Sequence, residues 1–122
     1  MKKILIIDDD VVFQKTMRAK LESCSYAVAQ AFDGEEGLTK VTSENPDLML
    51  LDIMMPKLNG LEFLKKLHQD KDVPNIPILI TSNMSTTEKI GEGLSLGIRG
   101  YIIKSDETLD TIVAEVQNIL KE

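Results

Sequence analysis

The feature that most constrains the fold of this chain is an unbroken apolar run that ends on a carboxylate. Residues 48–51 read Leu-Met-Leu-Leu, Asp52 follows, and a loop containing Pro56 and Gly60 comes next. An apolar run bounded by turn residues is typical of a strand buried on both faces, as strands of parallel sheets are. Burying a carboxylate is costly and adds nothing to packing, so its position at the end of a buried strand indicates that Asp52 has a chemical role. Taken alone, Asp52 is equally well explained as a turn or helix-capping residue.

Length and composition bound the class of protein. A chain of 122 residues with 43% hydrophobic and 28% charged residues is expected to form one globular domain over residues 1–122. Its net charge of −6 argues against a nucleic-acid-binding or anionic-membrane surface. The single cysteine excludes an internal disulfide and a cysteine-based zinc site. No segment has the roughly 20 apolar residues of a membrane span and no secretory signal follows Met1, so the expected location is cytoplasmic.

Strands and helices are predicted to alternate along the whole chain. The predicted strands are 3–8, 26–32, 48–52, 78–81 and 101–104, and the predicted helices are 10–24, 34–44, 60–70, 86–96 and 106–120. Five β-α units of this size predict an α/β fold, a (βα)5 doubly wound parallel sheet with helices on both faces. In that architecture ligands bind outside the carboxyl ends of the strands.

Polar side chains end four of the five predicted strands. They are Asp8, Asp9 and Asp10 for the first strand, Asp52 for the third, Thr81 and Ser82 for the fourth, and Lys104 for the fifth. Carboxylates that lie close together repel each other unless a cation lies among them. Oxygen ligands without histidine or cysteine favour a hard ion, and Mg²⁺ is the usual one where phosphate takes part. A carboxylate beside Mg²⁺ can attack phosphorus, while Lys104 and Thr81 can stabilise the transferring oxygens.

Four sequence motifs are specific in combination. They are Ile-Leu-Ile-Ile-Asp8-Asp9-Asp10, Leu-Leu-Asp52-Ile-Met-Met-Pro56 with Gly60, Ile-Leu-Ile-Thr81-Ser82, and Gly100-Tyr101-Ile-Ile-Lys104. With them, nearly the whole chain resembles the receiver domain of two-component response regulators, the CheY-like superfamily. That resemblance implies a flavodoxin-like five-stranded sheet with the strand order 2-1-3-4-5.

The resemblance also implies an acceptor and a metal site. Asp52 is the expected acceptor of a phosphoryl group from a histidine kinase or a histidine phosphotransfer protein. Asp8, Asp9, Asp52 and the backbone carbonyl of Met54 are the expected ligands of Mg²⁺, for which Mn²⁺ can substitute. Such a domain is a signalling protein and not an enzyme, apart from catalysing its own phosphorylation and dephosphorylation.

A switch is implied in the same way. Thr81 and Lys104 are expected to bind the phosphoryl oxygens, and Tyr101 to turn inward when Thr81 moves toward them. The fourth predicted helix contains Gly91 and Gly93, each of which costs about 1 kcal/mol relative to alanine in a helix interior. We therefore expect phosphorylation to remodel the face formed by that helix, the fifth strand and the last helix. This face is expected to control an unidentified output protein or domain, or to form a phosphorylation-dependent dimer.

Three further positions modify this expectation. The resemblance implies that Met54 and Asn83 flank the approach of water to the phosphorus. A methionine cannot hydrogen-bond water strongly, so slow loss of the phosphoryl group is expected. The family usually has proline after the lysine, whereas this chain has Ser105. A trans peptide bond is therefore expected after Lys104, with Ser105 helping to cap the last helix.

Alternative readings remain open at this point. Asp10 is expected to cap the first helix and not to bind the metal. A receiver-like interaction module that works without phosphorylation is one alternative function. A minimal haloacid-dehalogenase-like phosphatase with Asp8 as its nucleophile is another, because Asp8-x-Asp10 resembles that family's first motif. The phosphatase reading lacks the acidic pair that should end a later strand.

Overall fold

Strands and helices alternate along the described parts of the chain. The computed structural model describes residues 1–53, 60–70, 75–82, 98–104 and 107–121. In chain order the elements are β1 (Lys3–Ile7), α1 (Val11–Ser23), β2 (Ala27–Ala31), α2 (Gly34–Glu44), β3 (Leu48–Leu51), α3 (Gly60–Gln69), β4 (Ile78–Ser82), β5 (Ile98–Ile103) and α4 (Leu109–Ile119). The predicted α/β class is therefore confirmed.

The five described strands form one parallel sheet. Their order is β2-β1-β3-β4-β5, and every neighbouring pair is parallel. The chain passes from β1 to β2 on one side and then to β3 on the other, so the strand order reverses between β1 and β3. A doubly wound sheet opens its ligand crevice outside the carboxyl ends of such strands. The strand order implied by the resemblance is confirmed.

Apolar side chains on the two faces of the sheet form two separate cores. Along β1, Leu5 and Ile7 face the core that α2 and α3 cover, whereas Ile4 and Ile6 face α1 and α4. All four residues of β3 are buried. This is the burial expected of a central strand that is covered on both faces, and it confirms the interpretation of the apolar run.

Phe63 and Gly37 set the spacing of the core beneath α2 and α3. Phe63 is the largest fully buried side chain among the described residues. A Cβ atom at Gly37 would lie 2.9 Å from Ile7 Cδ1 and 3.2 Å from Phe63 Cε2. Because those atoms leave no room for it, glycine lets α2 approach β1 closely.

The ends of the elements differ from the predicted ones mainly near the carboxyl terminus. β5 begins at Ile98, three residues before the predicted start, and ends at Ile103, so that Lys104 follows the strand. α4 begins at Leu109 because Thr108 is its N-cap, with the hydroxyl accepting a hydrogen bond from the N–H of Thr111 at 3.2 Å. The prediction that this helix begins near residue 106 is therefore wrong. The predicted help of Ser105 in capping it lies outside the described residues. The other described ends agree with the predicted ones to within one residue.

Several predicted features lie outside the described residues. They are the fourth predicted helix at 86–96, with Gly91 and Gly93, and the peptide bond between Lys104 and Ser105. As for membrane spans, none of the helices that the structure describes combines the length and the apolar character needed to cross a bilayer.

Candidate functional site

The carboxyl ends of β1 and β3 bring three carboxylates together. Asp8 follows β1 and Asp52 follows β3, and the N–H of Asp52 donates a hydrogen bond to the carbonyl of Ile7 at 2.9 Å. Asp8, Asp9 and Asp52 each place a carboxylate oxygen within 4.8 Å of the other two. The first and last of these residues are buried, whereas Asp9 is exposed. The structure therefore groups the three acids that the sequence singled out.

Lys104 reaches into the same crevice from the end of β5. Its Nζ lies 2.5 Å from Oδ2 of Asp8 and 3.8 Å from Oδ2 of Asp52. Only 12% of its side chain is exposed. A largely buried ammonium thus lies between two buried carboxylates, at the point where the doubly wound sheet opens its crevice.

Burial raises the pKa of Asp8 from 3.8 to about 6. Loss of hydration is the largest cause. The Lys104 ammonium and the N–H of Asp10, which donates to Asp8 Oδ1 at 2.9 Å, act in the opposite direction, and the charge of Asp52 raises the pKa further. Despite the nearby ammonium, Oδ2 of Asp8 has no hydrogen-bond partner of normal geometry among the described residues, so this contact is an ion pair and not a well-directed hydrogen bond. Oδ2 of Asp8 can therefore still serve as a ligand to a cation.

Thr81 and Tyr101 lie on the neighbouring strands. Thr81 is fully buried near the end of β4, and its Oγ1 has no hydrogen-bond partner in the described part of the chain. A buried hydroxyl without a partner costs about 1–3 kcal/mol, so its presence calls for a reason such as a ligand. Tyr101 is half-buried against the core beneath α2 and α3, and burial raises its pKa while a hydrogen bond with Ser82 opposes that rise.

Gln14 is a buried residue of this region that the sequence did not reveal. It lies on α1 with 1% of its surface exposed. Its Nε2 lies 3.0 Å, 3.1 Å and 2.8 Å from the carbonyl oxygens of Ile6, Asp8 and Ala31, and its Oε1 accepts a hydrogen bond from Gln30. Gln14 thus joins α1 to the ends of β1 and β2 and fixes the backbone of Asp8. A glutamine in a helix gives no periodic signal for such burial, since the polar partners come from other elements.

Of the remaining predicted residues, one has its predicted role and two lie outside the described residues. Asp10 is the N-cap of α1, with Oδ1 accepting a hydrogen bond from the N–H of Phe13 at 3.1 Å, as predicted. Met54 and Asn83 lie outside the described residues.

Comparison with known proteins identifies the family. Residues 4–117 match the model of the response regulator receiver domain, and the chain belongs to that family. Receiver domains act in two-component signalling, bind Mg²⁺ through an acidic pocket, and interact with histidine kinases and output domains. They are signalling proteins and in general not enzymes.

Individual relatives agree with this assignment. The "Probable transcriptional regulator ycf27" of Cyanophora paradoxa is 38% identical over 103 residues, which are 84% of this chain and 42% of that protein. "Response regulator ArlR" of Staphylococcus aureus is 34% identical over 121 residues, 99% of this chain and 53% of that protein. The chain therefore spans about half the length of these relatives. The structure of the chemotaxis protein CheY4 of Vibrio cholerae matches with a TM-score of 0.89 and 29% identity, over 98% of this chain and 99% of that one.

We expect Asp8→Asn to stabilise the metal-free protein at neutral pH. The folded state holds the Asp8 proton more tightly than the unfolded chain does, so the folded protein loses stability as the pH rises from about 4 to about 6. A pKa difference of that size corresponds to about 3 kcal/mol, and asparagine removes this cost. Urea unfolding of both proteins at several pH values measures the difference, which should be largest at pH 7 and vanish as the pH falls to about 4.

Asp9→Asn is the matched control, since it removes the same charge from an exposed neighbour. Its free energy of unfolding should differ from that of the wild type by no more than about 0.5 kcal/mol at every pH. Equal unfolding free energies for Asp8→Asn and the wild type at pH 7 would contradict the raised pKa of Asp8.

Proposed function

We propose that this domain is the phosphoacceptor of a two-component system. A histidine kinase or a histidine phosphotransfer protein donates the phosphoryl group, and Asp52 accepts it. The observation that carries the proposal is the Lys104 ammonium, held between the carboxylates of Asp8 and Asp52 at the crevice of the sheet. A carboxylate oxygen that could act as the nucleophile thus lies near a positive charge in one small site.

The transfer follows from the groups in the crevice. An oxygen of Asp52 attacks the phosphorus, and the bond from phosphorus to the donor's imidazole nitrogen breaks, leaving the imidazole as the departing group. Charge on the three phosphoryl oxygens has to be stabilised during this step. Lys104 supplies a cation, and Thr81 supplies a hydroxyl whose hydrogen-bonding capacity is unused in the described structure.

Asp8, Asp9 and Asp52 fit a divalent cation. Their oxygens lie within 4.8 Å of one another, and Asp8 Oδ2 lacks a well-directed hydrogen bond among the described residues. All the side-chain donors are oxygens, which suits Mg²⁺ or Mn²⁺. When bound, such an ion neutralises the carboxylates and the phosphoryl oxygens. The backbone carbonyl of Met54 is the proposed fourth protein ligand, although that residue lies outside the described ranges.

Phosphorylation is read out through Thr81 and Tyr101. The Thr81 hydroxyl gains a partner by moving toward the phosphoryl group, and the half-buried Tyr101 on the adjacent strand then turns inward. These movements remodel the face formed by the fourth predicted helix, β5 and α4. An output protein or domain, or a second copy of the chain, recognises the altered face.

Asp52→Asn tests the acceptor. After treatment with acetyl phosphate and Mg²⁺, intact mass spectrometry should show one added phosphoryl group on the wild type and none on Asp52→Asn, since an amide is not a nucleophile toward phosphorus. Asp9→Ala should still be phosphorylated, but more slowly and at a higher Mg²⁺ concentration. Asp110→Asn removes an exposed carboxylate of α4 and should behave as the wild type.

Two other outcomes would identify a different function. Phosphorylation that persists in Asp52→Asn would place the nucleophile elsewhere, with Asp8 the residue that the phosphatase reading requires. A wild type that gains no mass with any small phosphoryl donor would favour an interaction module that works without phosphorylation.

The lifetime of the phosphoryl group is proposed to depend on Met54. Its thioether cannot hold the attacking water strongly, whereas an asparagine side chain could orient it, and orientation contributes several kcal/mol to such steps. Met54→Asn should therefore lose phosphate faster than the wild type once the donor is removed. Met55→Asn is the matched control and should decay at the wild-type rate. Equal or slower decay of Met54→Asn would show that Met54 does not shield the phosphorus.

A further inference from the structure

Four residues around the crevice form a closed ring of contacts. The N–H of Asp10 donates to Asp8 Oδ1 at 2.9 Å, and Asp10 Oδ1 accepts from the N–H of Phe13 at 3.1 Å. The centroid of the Phe13 ring lies 4.3 Å from Lys104 Nζ. The ring of contacts closes at Asp8, because the same Nζ lies 2.5 Å from its Oδ2. The first turn of α1 is thereby linked to the residue that follows β5.

We propose that Phe13 is a positioning residue, whose ring face holds the Lys104 ammonium in the crevice and so sets the rate at which Asp52 is phosphorylated. The inference rests on the proposed function of Asp52 and Lys104. The Phe13 ring contacts neither the phosphoryl donor nor the acceptor oxygen, so Phe13 acts only through Lys104.

A lysine at this position needs such support. Its ammonium is a compact charge at the end of a flexible four-carbon chain, so several rotamers compete unless neighbours select one. The carboxylates of Asp8 and Asp52 attract the ammonium, but contacts with them occupy its N–H groups. The face of an aromatic ring attracts a cation through the ring's quadrupole and takes up less of its hydrogen-bonding capacity. Lys104 can therefore rest against Phe13 and still present N–H groups to phosphoryl oxygens.

The ring is itself held in place. Phe13 is 8% exposed and belongs to the core that Met17 and Leu21 continue along α1. The hydrogen bond from its N–H to the Asp10 carboxylate fixes the start of the helix on which it stands. Because the ring and the lysine stem are both shielded from water, the attraction between them is stronger than at an exposed site.

Fluorinated phenylalanines at position 13 test this role. One, two and three fluorine atoms withdraw electron density from the ring face stepwise while the shape of the ring stays nearly unchanged. The rate of phosphorylation by acetyl phosphate at saturating Mg²⁺ should fall in the same order, by about three- to tenfold over the series. Urea unfolding should show that every variant is fully folded under the assay conditions. In a Lys104→Ala background the fluorine atoms should have no further effect on the rate.

A second readout does not depend on activity. In the unphosphorylated protein the ring should shift the NMR signals of the Lys104 side chain upfield, and this shift should shrink along the fluorinated series. Phe63 is the matched control, since it is buried in the core on the other face of the sheet. The same fluorinated residues there should change neither the phosphorylation rate nor the Lys104 signals.

The outcomes separate this inference from the proposed function. If the parent protein is phosphorylated but the fluorinated variants are phosphorylated at the same rate, the role of Phe13 alone is overturned. NMR signals of the Lys104 side chain without an upfield shift would also overturn it. A parent protein that takes up no phosphoryl group would overturn the proposed function and this role together.

Discussion

The Lys104 ammonium between two buried carboxylates is the interaction on which the site depends. Asp8 and Asp52 end adjacent parallel strands, so the sheet forces their charges together in a place with little water. Removing the ammonium would leave two buried carboxylates without a compensating charge, which is strongly destabilising. Even with Lys104 present, the pKa of Asp8 is raised to about 6, so the ammonium does not offset the burial of that acid. The site keeps an electrostatic cost that a bound cation would relieve.

Most of the fold and the acidic cluster could be predicted from the sequence for a simple reason. Parallel strands end at one edge of the sheet, so side chains at or directly after the carboxyl ends of β1, β3 and β4 must lie near one another. Asp8, Asp52 and Thr81 are such residues, and the apolar runs before them left little doubt about the strands. The start of β5 was missed because Gly100 is normally a strand breaker. A Cβ atom there would lie 2.8 Å from Leu79 Cδ1, so the Leu79 side chain packs directly against the backbone of Gly100 where β5 meets β4.

The features that the sequence did not predict depend on contacts between distant elements. Gln14 occupies a helical position where glutamine is usually exposed, and three carbonyl groups at the ends of β1 and β2 account for its burial. Phe13 follows the helical spacing of Met17 and Leu21, but nothing in that spacing shows that Lys104, 91 positions further along the chain, lies over its ring. Local pattern specifies which face of an element is buried. It does not specify which polar group meets that face.

A crystal structure with Mg²⁺ and beryllofluoride, a mimic of the phosphoryl group, tests the central claim most directly. The account predicts beryllium bonded to the carboxylate of Asp52, with Lys104 Nζ and Thr81 Oγ1 contacting its fluorine atoms. Nζ should then lie farther from Asp8 Oδ2 than the present 2.5 Å, and the Tyr101 ring should have turned inward. Beryllofluoride on Asp8, or its absence from Asp52 with Lys104 still paired to Asp8, would contradict the account.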